Sequence, residues 1–101
     1  MDYAIYPEGF YKALHTISTL KKPIDVTENG VADKGDNIRK IFIQRYLYSL
    51  NKAIRDGLDI RGHFYWTLMD NFEWAEGYKM KFGLYQVNFL TQARTLRESS
   101  K

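Results

Sequence analysis

The sequence predicts an α/β fold that is incomplete as it stands: two parallel strands joined through a helix, a slice of a larger sheet. Three observations carry this. Helical and strand-like periods alternate along the chain. One long amphipathic helix separates the two clearest strand-like runs. The second of those runs is apolar and aromatic on both faces, as a strand covered on both sides should be. A strand–helix–strand unit with a helix of this length implies a parallel pair and a right-handed crossover. Two parallel strands do not finish a sheet. A (β/α)8 barrel needs eight strands and about 250 residues, against 101 here.

The elements follow in order. Pro7 suits the first turn of a helix, where its missing N–H costs nothing. Phe10, Ala13, Leu14, Ile17 and Leu20 recur at helical spacing, so 8–20 reads as an amphipathic helix that "KKP" ends. "PIDVTENG" is a short strand in which Ile24 and Val26 alternate with Asp25 and Thr27, closed by a turn. "VADKGDN" is a loop, and Asp36 or Asn37 can cap the next helix. Ile38, Ile41, Phe42, Leu47, Leu50 and Ile54 give that helix one apolar face, and Gly57 stops it. "IRGHFYWTLMD" is the second strand, "NFEWAEGYKMKFG" a loop rich in aromatics and acids, and "LYQVNF" another short strand. "LTQARTLRESSK" reads as a polar turn beginning a last helix. There is no repeat, low-complexity tract or interdomain linker.

Composition narrows the function classes. Hydrophobic residues are 45% and charged ones 27%, ordinary for a globular protein, while the aromatic share of 16% is high enough to line a binding surface as well as a core. The net charge of +3 is spread over "LKKP", "NIRK" and "KMKF" with no basic stripe, which argues against a nucleic-acid partner. Without cysteine, disulfides, thiolate metal sites and cysteine nucleophiles are excluded. His15 reads as a helix-surface residue and His63 as part of a strand, and they lack metal-ligand spacing, so neither a metal nor another cofactor is expected. No apolar run approaches the roughly 18 residues of a membrane span, and "MDYAIYPEGF" has no signal-peptide pattern. A cytoplasmic location is favoured.

Three carboxylates then stand out. Glu28 ends the first strand, and Asp70 and Glu73 lie at or just beyond the end of the second. Taken singly, Glu28 reads as a solvated turn residue and Trp66 and Phe82 as core packing. In a parallel α/β barrel, however, function sits at the C-terminal ends of the strands. Carboxylates among Trp, Tyr and Phe suit sugar chemistry: ring faces stack on pyranose C–H faces, and carboxylates accept hydrogen bonds from adjacent hydroxyls. One ionised carboxylate can attack the anomeric carbon while a protonated one serves as general acid.

The strings "TENG" (27–30), "YWTLMDNFEWAEGY" (65–78) and "KFGLYQVNF" (81–89) closely resemble glycoside hydrolase family 1, the family of retaining β-glucosidases, and "IYPEGFY" (5–11) is similar to the lead-in to its seventh strand. The resemblance covers nearly the whole chain. It implies that residues 1–101 are part of the catalytic domain, the C-terminal portion of a (β/α)8 TIM barrel around strands seven and eight. It implies that Glu28 is the catalytic nucleophile, with Asn29 and Gly30 shaping the turn behind it. Trp66 would be the platform under the glycone ring, Glu73 the carboxylate gripping glycone hydroxyls, and Trp74 an indole N–H donor to the same sugar. Phe82 would lie near the hydroxymethyl group, and Asp70 and Asn71 would hold the loop. Glu76 has no defensible role and reads as solvated. Glu73 would repel a phosphate, so the implied substrate is an unphosphorylated β-glycoside. Asp25, Asn88 and Leu96 depart from the family pattern.

The general acid/base of that family lies in an Asn-Glu-Pro motif, which this sequence lacks. The expected reading is a truncated family member, inactive alone, whose partner is the missing N-terminal part of the barrel. The alternative is a non-catalytic sugar-binding or barrel-complementing fragment.

Overall fold

The computed structural model describes residues 4–101. Helix α1 spans Pro7–Ser18, with Pro7 in the first turn as expected. It ends two residues before the sequence pattern does, because Lys21 turns into the left-handed region (φ 53°) and Pro23 cannot continue a helix. Strand β1 is Ile24–Asn29, helix α2 Arg39–Arg55 and strand β2 Ile60–Tyr65. β1 and β2 pair in parallel, with Ile24 opposite Ile60 and Asn29 opposite Tyr65, and the register slips between Val26 and Asn29. Short strands β3 (Tyr85–Val87) and β4 (Arg94–Leu96) form an antiparallel hairpin, and single 3-10 turns lie at Trp74–Glu76 and Glu98–Ser100.

Both helices pack on one face of the parallel pair. Leu14 of α1, Ile24 of β1, and Leu50 and Ala53 of α2 form one buried cluster, with Phe10, Val26, Leu58 and Ile60 around it. Val31, Phe42 and Tyr46 form a second, in which the Phe42 and Tyr46 rings stack at 4.1 Å. Each fully buried side chain of this size stabilises by about 1.5–3 kcal/mol. Gly57, at φ 96°, ends α2 where the sequence places its stop.

Four expectations need correction. The last segment is not a starting helix. It is β4 followed by a 3-10 turn, because pairing with β3 satisfies its backbone (Leu96 opposite Tyr85). Neither Asp36 nor Asn37 caps α2: Asp33 Oδ2 accepts the Ile38 and Arg39 N–H groups at 2.8 and 2.9 Å, while Asp36 sits at φ 56° and points to Arg39 and Ser99. The buried stripe of α2 runs through Arg39, Phe42, Tyr46, Ser49, Leu50 and Ala53, leaving Ile41, Leu47 and Ile54 exposed. β2 is not covered on both sides, since Phe64 is exposed on the face away from the helices.

Candidate active site

The two parallel strands end side by side, and their C-terminal ends carry the site. The Trp66 N–H donates to the Asn29 carbonyl at 3.0 Å, tying the residue after β2 to the last residue of β1. Gly30 lies so close to that junction that a Cβ there would collide with the Trp66 carbonyl oxygen. Trp66 is joined to Thr67 by a cis peptide bond. The Asn29 side chain meets the His63 ring, Oδ1 to Nε2, at 3.1 Å, and burial lowers the His63 pKa from its ordinary value. The register slip at the end of β1 leaves both Thr27 and Glu28 exposed.

Beyond β2 the chain forms a tight loop. The Glu73 N–H donates to the Gly77 carbonyl at 2.7 Å and the Glu73 carbonyl accepts the Glu76 N–H at 2.8 Å. Trp74, at φ 44°, is thrown outward and is 83% exposed. The chain then returns along the Thr67–Asp70 segment. The Thr67 N–H donates to the Phe82 carbonyl at 3.3 Å, and the Thr67 carbonyl accepts the Leu84 N–H at 2.8 Å.

One open cleft of about 480 Å³ results. Glu28, Asn29, Gly30, Trp66, Glu73, Trp74 and Phe82 line it, with Phe42 and Tyr46 of α2. All five candidate residues from the sequence (Glu28, Trp66, Glu73, Trp74 and Phe82) are therefore brought together, although up to 54 positions separate them. Sequence reasoning misses Phe42 and Tyr46 there: the helical spacing of Phe42 signals only core, and Tyr46 lies outside the apolar face read from the sequence. Neither Glu28 nor Glu73 makes an ion pair among the described residues, and no described group of three His, Asp or Glu side chains gathers as for a metal ion.

Asp70 stands apart from the cleft. It is buried and accepts the Gly83 N–H at 3.0 Å, the Val87 N–H at 3.3 Å and both Arg97 Nη groups at 2.9 Å. Burial pushes its carboxyl pKa up, but Arg97 and the two backbone donors outweigh that and hold it below the ordinary value. Asp70 thus holds the loop, as the resemblance implied.

Strand ends and the loop beyond them that present two carboxylates and two indoles to one cleft narrow the site to a few chemistries, and the family match over the whole chain separates them. The profile described as "Glycosyl hydrolase family 1" matches residues 1–101. The chain belongs to this family. It is 44% identical over 100 residues to a β-galactosidase of Pyrococcus woesei, covering 99% of this chain and 20% of that protein. It is 36% identical over 99 residues to a β-galactosidase of Sulfolobus acidocaldarius, covering 97% and 20%. Among solved structures it superposes on the β-glycosidase from Pyrococcus horikoshii with a TM-score of 0.95 at 46% identity, covering 99% of this chain and 24% of that one. The β-glycosidase from Thermosphaera aggregans gives 0.95 at 40% identity, with 97% and 21% covered. These structural neighbours are TIM-barrel glycosidases of family 1. The chain spans about a fifth of the length of the curated relatives it matches.

Proposed function

We propose that residues 1–101 are the part of a retaining β-glycosidase barrel that holds its seventh and eighth strands, and that they carry its nucleophile and half of its sugar site. The convergence of the five candidate residues on one cleft supports this. In this reading Glu28 attacks the anomeric carbon of an unphosphorylated β-glycoside. The glycosidic C–O bond breaks, and the aglycone oxygen takes a proton from a general acid elsewhere in the barrel. The Glu28 ester is then hydrolysed by a water deprotonated by that same group, so configuration is retained. Trp66 supplies the face under the ring. Glu73 and Trp74 hold its hydroxyls, and Phe82 packs near the hydroxymethyl group. The partner is the N-terminal part of the barrel. The reaction needs two carboxyl groups about 5–5.5 Å apart, and these 101 residues have no Asn-Glu-Pro glutamate, so the chain alone is inactive.

The test places the chain in a complete barrel, grafted over the 100 residues it matches in the Pyrococcus woesei β-galactosidase. Glu28→Ala should lower kcat/KM by at least about a thousandfold. Azide should restore release of an activated aryl leaving group, giving the α-glycosyl azide. Retained turnover in Glu28→Ala would sink the assignment. The alternative, a sugar-binding or barrel-complementing piece without catalysis, requires a graft that binds glycoside and never turns it over.

A further inference from the structure

Arg39 and Arg97 are 0% and 6% exposed, and the reaction above uses neither. Arg39 Nη2 donates to the Lys81 carbonyl at 2.6 Å, and Arg97 Nη1 donates to the Gly83 carbonyl at 2.6 Å. The residue between those two carbonyls is Phe82, buried and lining the cleft. We propose that the two guanidinium groups clamp the backbone on either side of Phe82 and so set the position of its ring in the sugar site. Arg39 and Arg97 are then positioning residues, a role that rests on the glycosidase reading of the cleft.

Each arm of the clamp is anchored in a different part of the fold. Arg39 opens α2, and its Nη1 pairs with Asp36 Oδ1 at 2.5 Å while its Nη2 also reaches the Asp33 carbonyl at 2.9 Å. The Lys81 carbonyl accepts the Asp33 N–H as well, at 2.9 Å. This arm therefore refers residue 81 to the loop that follows Glu28. Arg97 leaves β4 and takes Asp70 with both Nη atoms, so the second arm refers residue 83 to the segment that follows Trp66. Between the arms there is little slack. A Cβ on Gly83 would collide with backbone atoms of Met69, Asp70 and Tyr85.

Packing alone can bury a phenylalanine, and it does so without the several kcal/mol that desolvating each buried ion costs. Two such ions at the flanks of one residue make sense as a device for position. The geometry also asks for arginine, because one planar fork reaches a carboxylate and a carbonyl at once, whereas a lysine ammonium is a single point.

The test uses the same graft, with p-nitrophenyl β-glucopyranoside and p-nitrophenyl β-xylopyranoside, which differ only in the hydroxymethyl group. Phe82→Ala measures how much of the glucoside-to-xyloside ratio of kcat/KM belongs to the ring. Arg39→Lys and Arg97→Lys should each shrink that ratio about tenfold, the scale of a displaced contact. Either should add little on top of Phe82→Ala, since the effects share one cause. Where Phe82→Ala itself shrinks the ratio, equal losses on both substrates in the arginine variants, or losses that add, would show a merely structural role and overturn the clamp. A crystal structure of the Arg39→Lys graft provides a readout independent of activity: the clamp requires a displaced Phe82 ring, and an unmoved ring overturns it. If Phe82→Ala leaves the ratio unchanged while the ring does move in Arg39→Lys, the assigned role of Phe82 fails and the clamp stands.

Discussion

At the scale of single residues, Gly30 stands where no side chain has room. A Cβ there would meet the carbonyl of Trp66, a backbone atom with no flexible end to give way. Gly30→Ala therefore drives the end of β1 from the end of β2, across the hydrogen bond that joins Asn29 to Trp66. Those two ends carry Glu28 and Trp66. In the proposed reading both groups meet one sugar, and a misplacement of about 1 Å between them costs on the order of a hundredfold in rate. Steady-state kcat/KM of the Gly30→Ala graft checks this, and a loss under threefold would contradict it. Asp70 makes a different prediction, with a sign. Its folded pKa lies below that of an unfolded aspartate, about 3.9, because Arg97 and two backbone N–H groups outweigh its burial. Its contribution to stability is thus full above about pH 4 and lost as pH falls through the folded value. Asp70→Asn leaves the buried Arg97 charge unpaired and should cost about 3–5 kcal/mol at pH 7. Denaturant unfolding of the graft at pH 7 and again near pH 3 should show that gap narrowing in acid. A gap that stays constant would mean that Asp70 is not the titrating partner.

At the scale of elements, the start of α2 shows what a sequence displays and what it hides. The helix and its glycine stop follow from the apolar period and from Gly57. The cap does not, because Asp33 reaches forward over five and six residues to the Ile38 and Arg39 N–H groups, while the nearer Asp36 is turned away to Arg39 and Ser99. Asp33→Ala should cost about 1 kcal/mol, the usual value of an N-cap, read as a lower thermal midpoint of the graft with its helical circular dichroism retained. Asp36→Ala should instead loosen the turn at Ser99. The hairpin β3–β4 was half legible for a related reason: "LYQVNF" alternates as a strand should, but Arg94–Leu96 is a strand only by virtue of its partner. Candidate site residues were easier to find than the groups that hold them. Glu28 and Glu73 sit at or near strand ends, where a parallel sheet places its chemistry, while Trp66, Trp74 and Phe82 are marked only by the strings that resemble the family. Arg39 sits in the buried stripe of an amphipathic helix, and Arg97 in a polar tail. Their partners at Phe82 are main-chain carbonyls, which leave no mark in a sequence.

At the scale of the whole molecule, the parallel sheet has two strands among the described residues, so each of them keeps one edge unpaired there. The face of that sheet away from the helices carries Phe64, 60% exposed, and Leu68, Phe72 and Tyr78 are also exposed beyond β2. The outer flanks of α2 add Ile41, Leu47 and Ile54, and α1 adds Ile17 and Leu20. An open edge beside so much apolar surface is a template for pairing with another chain. In the family 1 relatives four fifths of the protein lies outside the matched segment, enough to supply the missing neighbours. The 101-residue chain on its own should therefore self-associate, sedimenting as a broad distribution of oligomers and melting without a sharp transition. A monomer with one cooperative unfolding transition would contradict this. Coexpression with the remaining four fifths of the Pyrococcus woesei enzyme should shift the chain into one stoichiometric complex with β-glycosidase activity that depends on Glu28. Sedimentation shows whether the apolar surface has been covered, and turnover shows whether the two halves of the proposed sugar site have met. A stable complex without turnover would separate the two requirements and place the fault in the register between the halves.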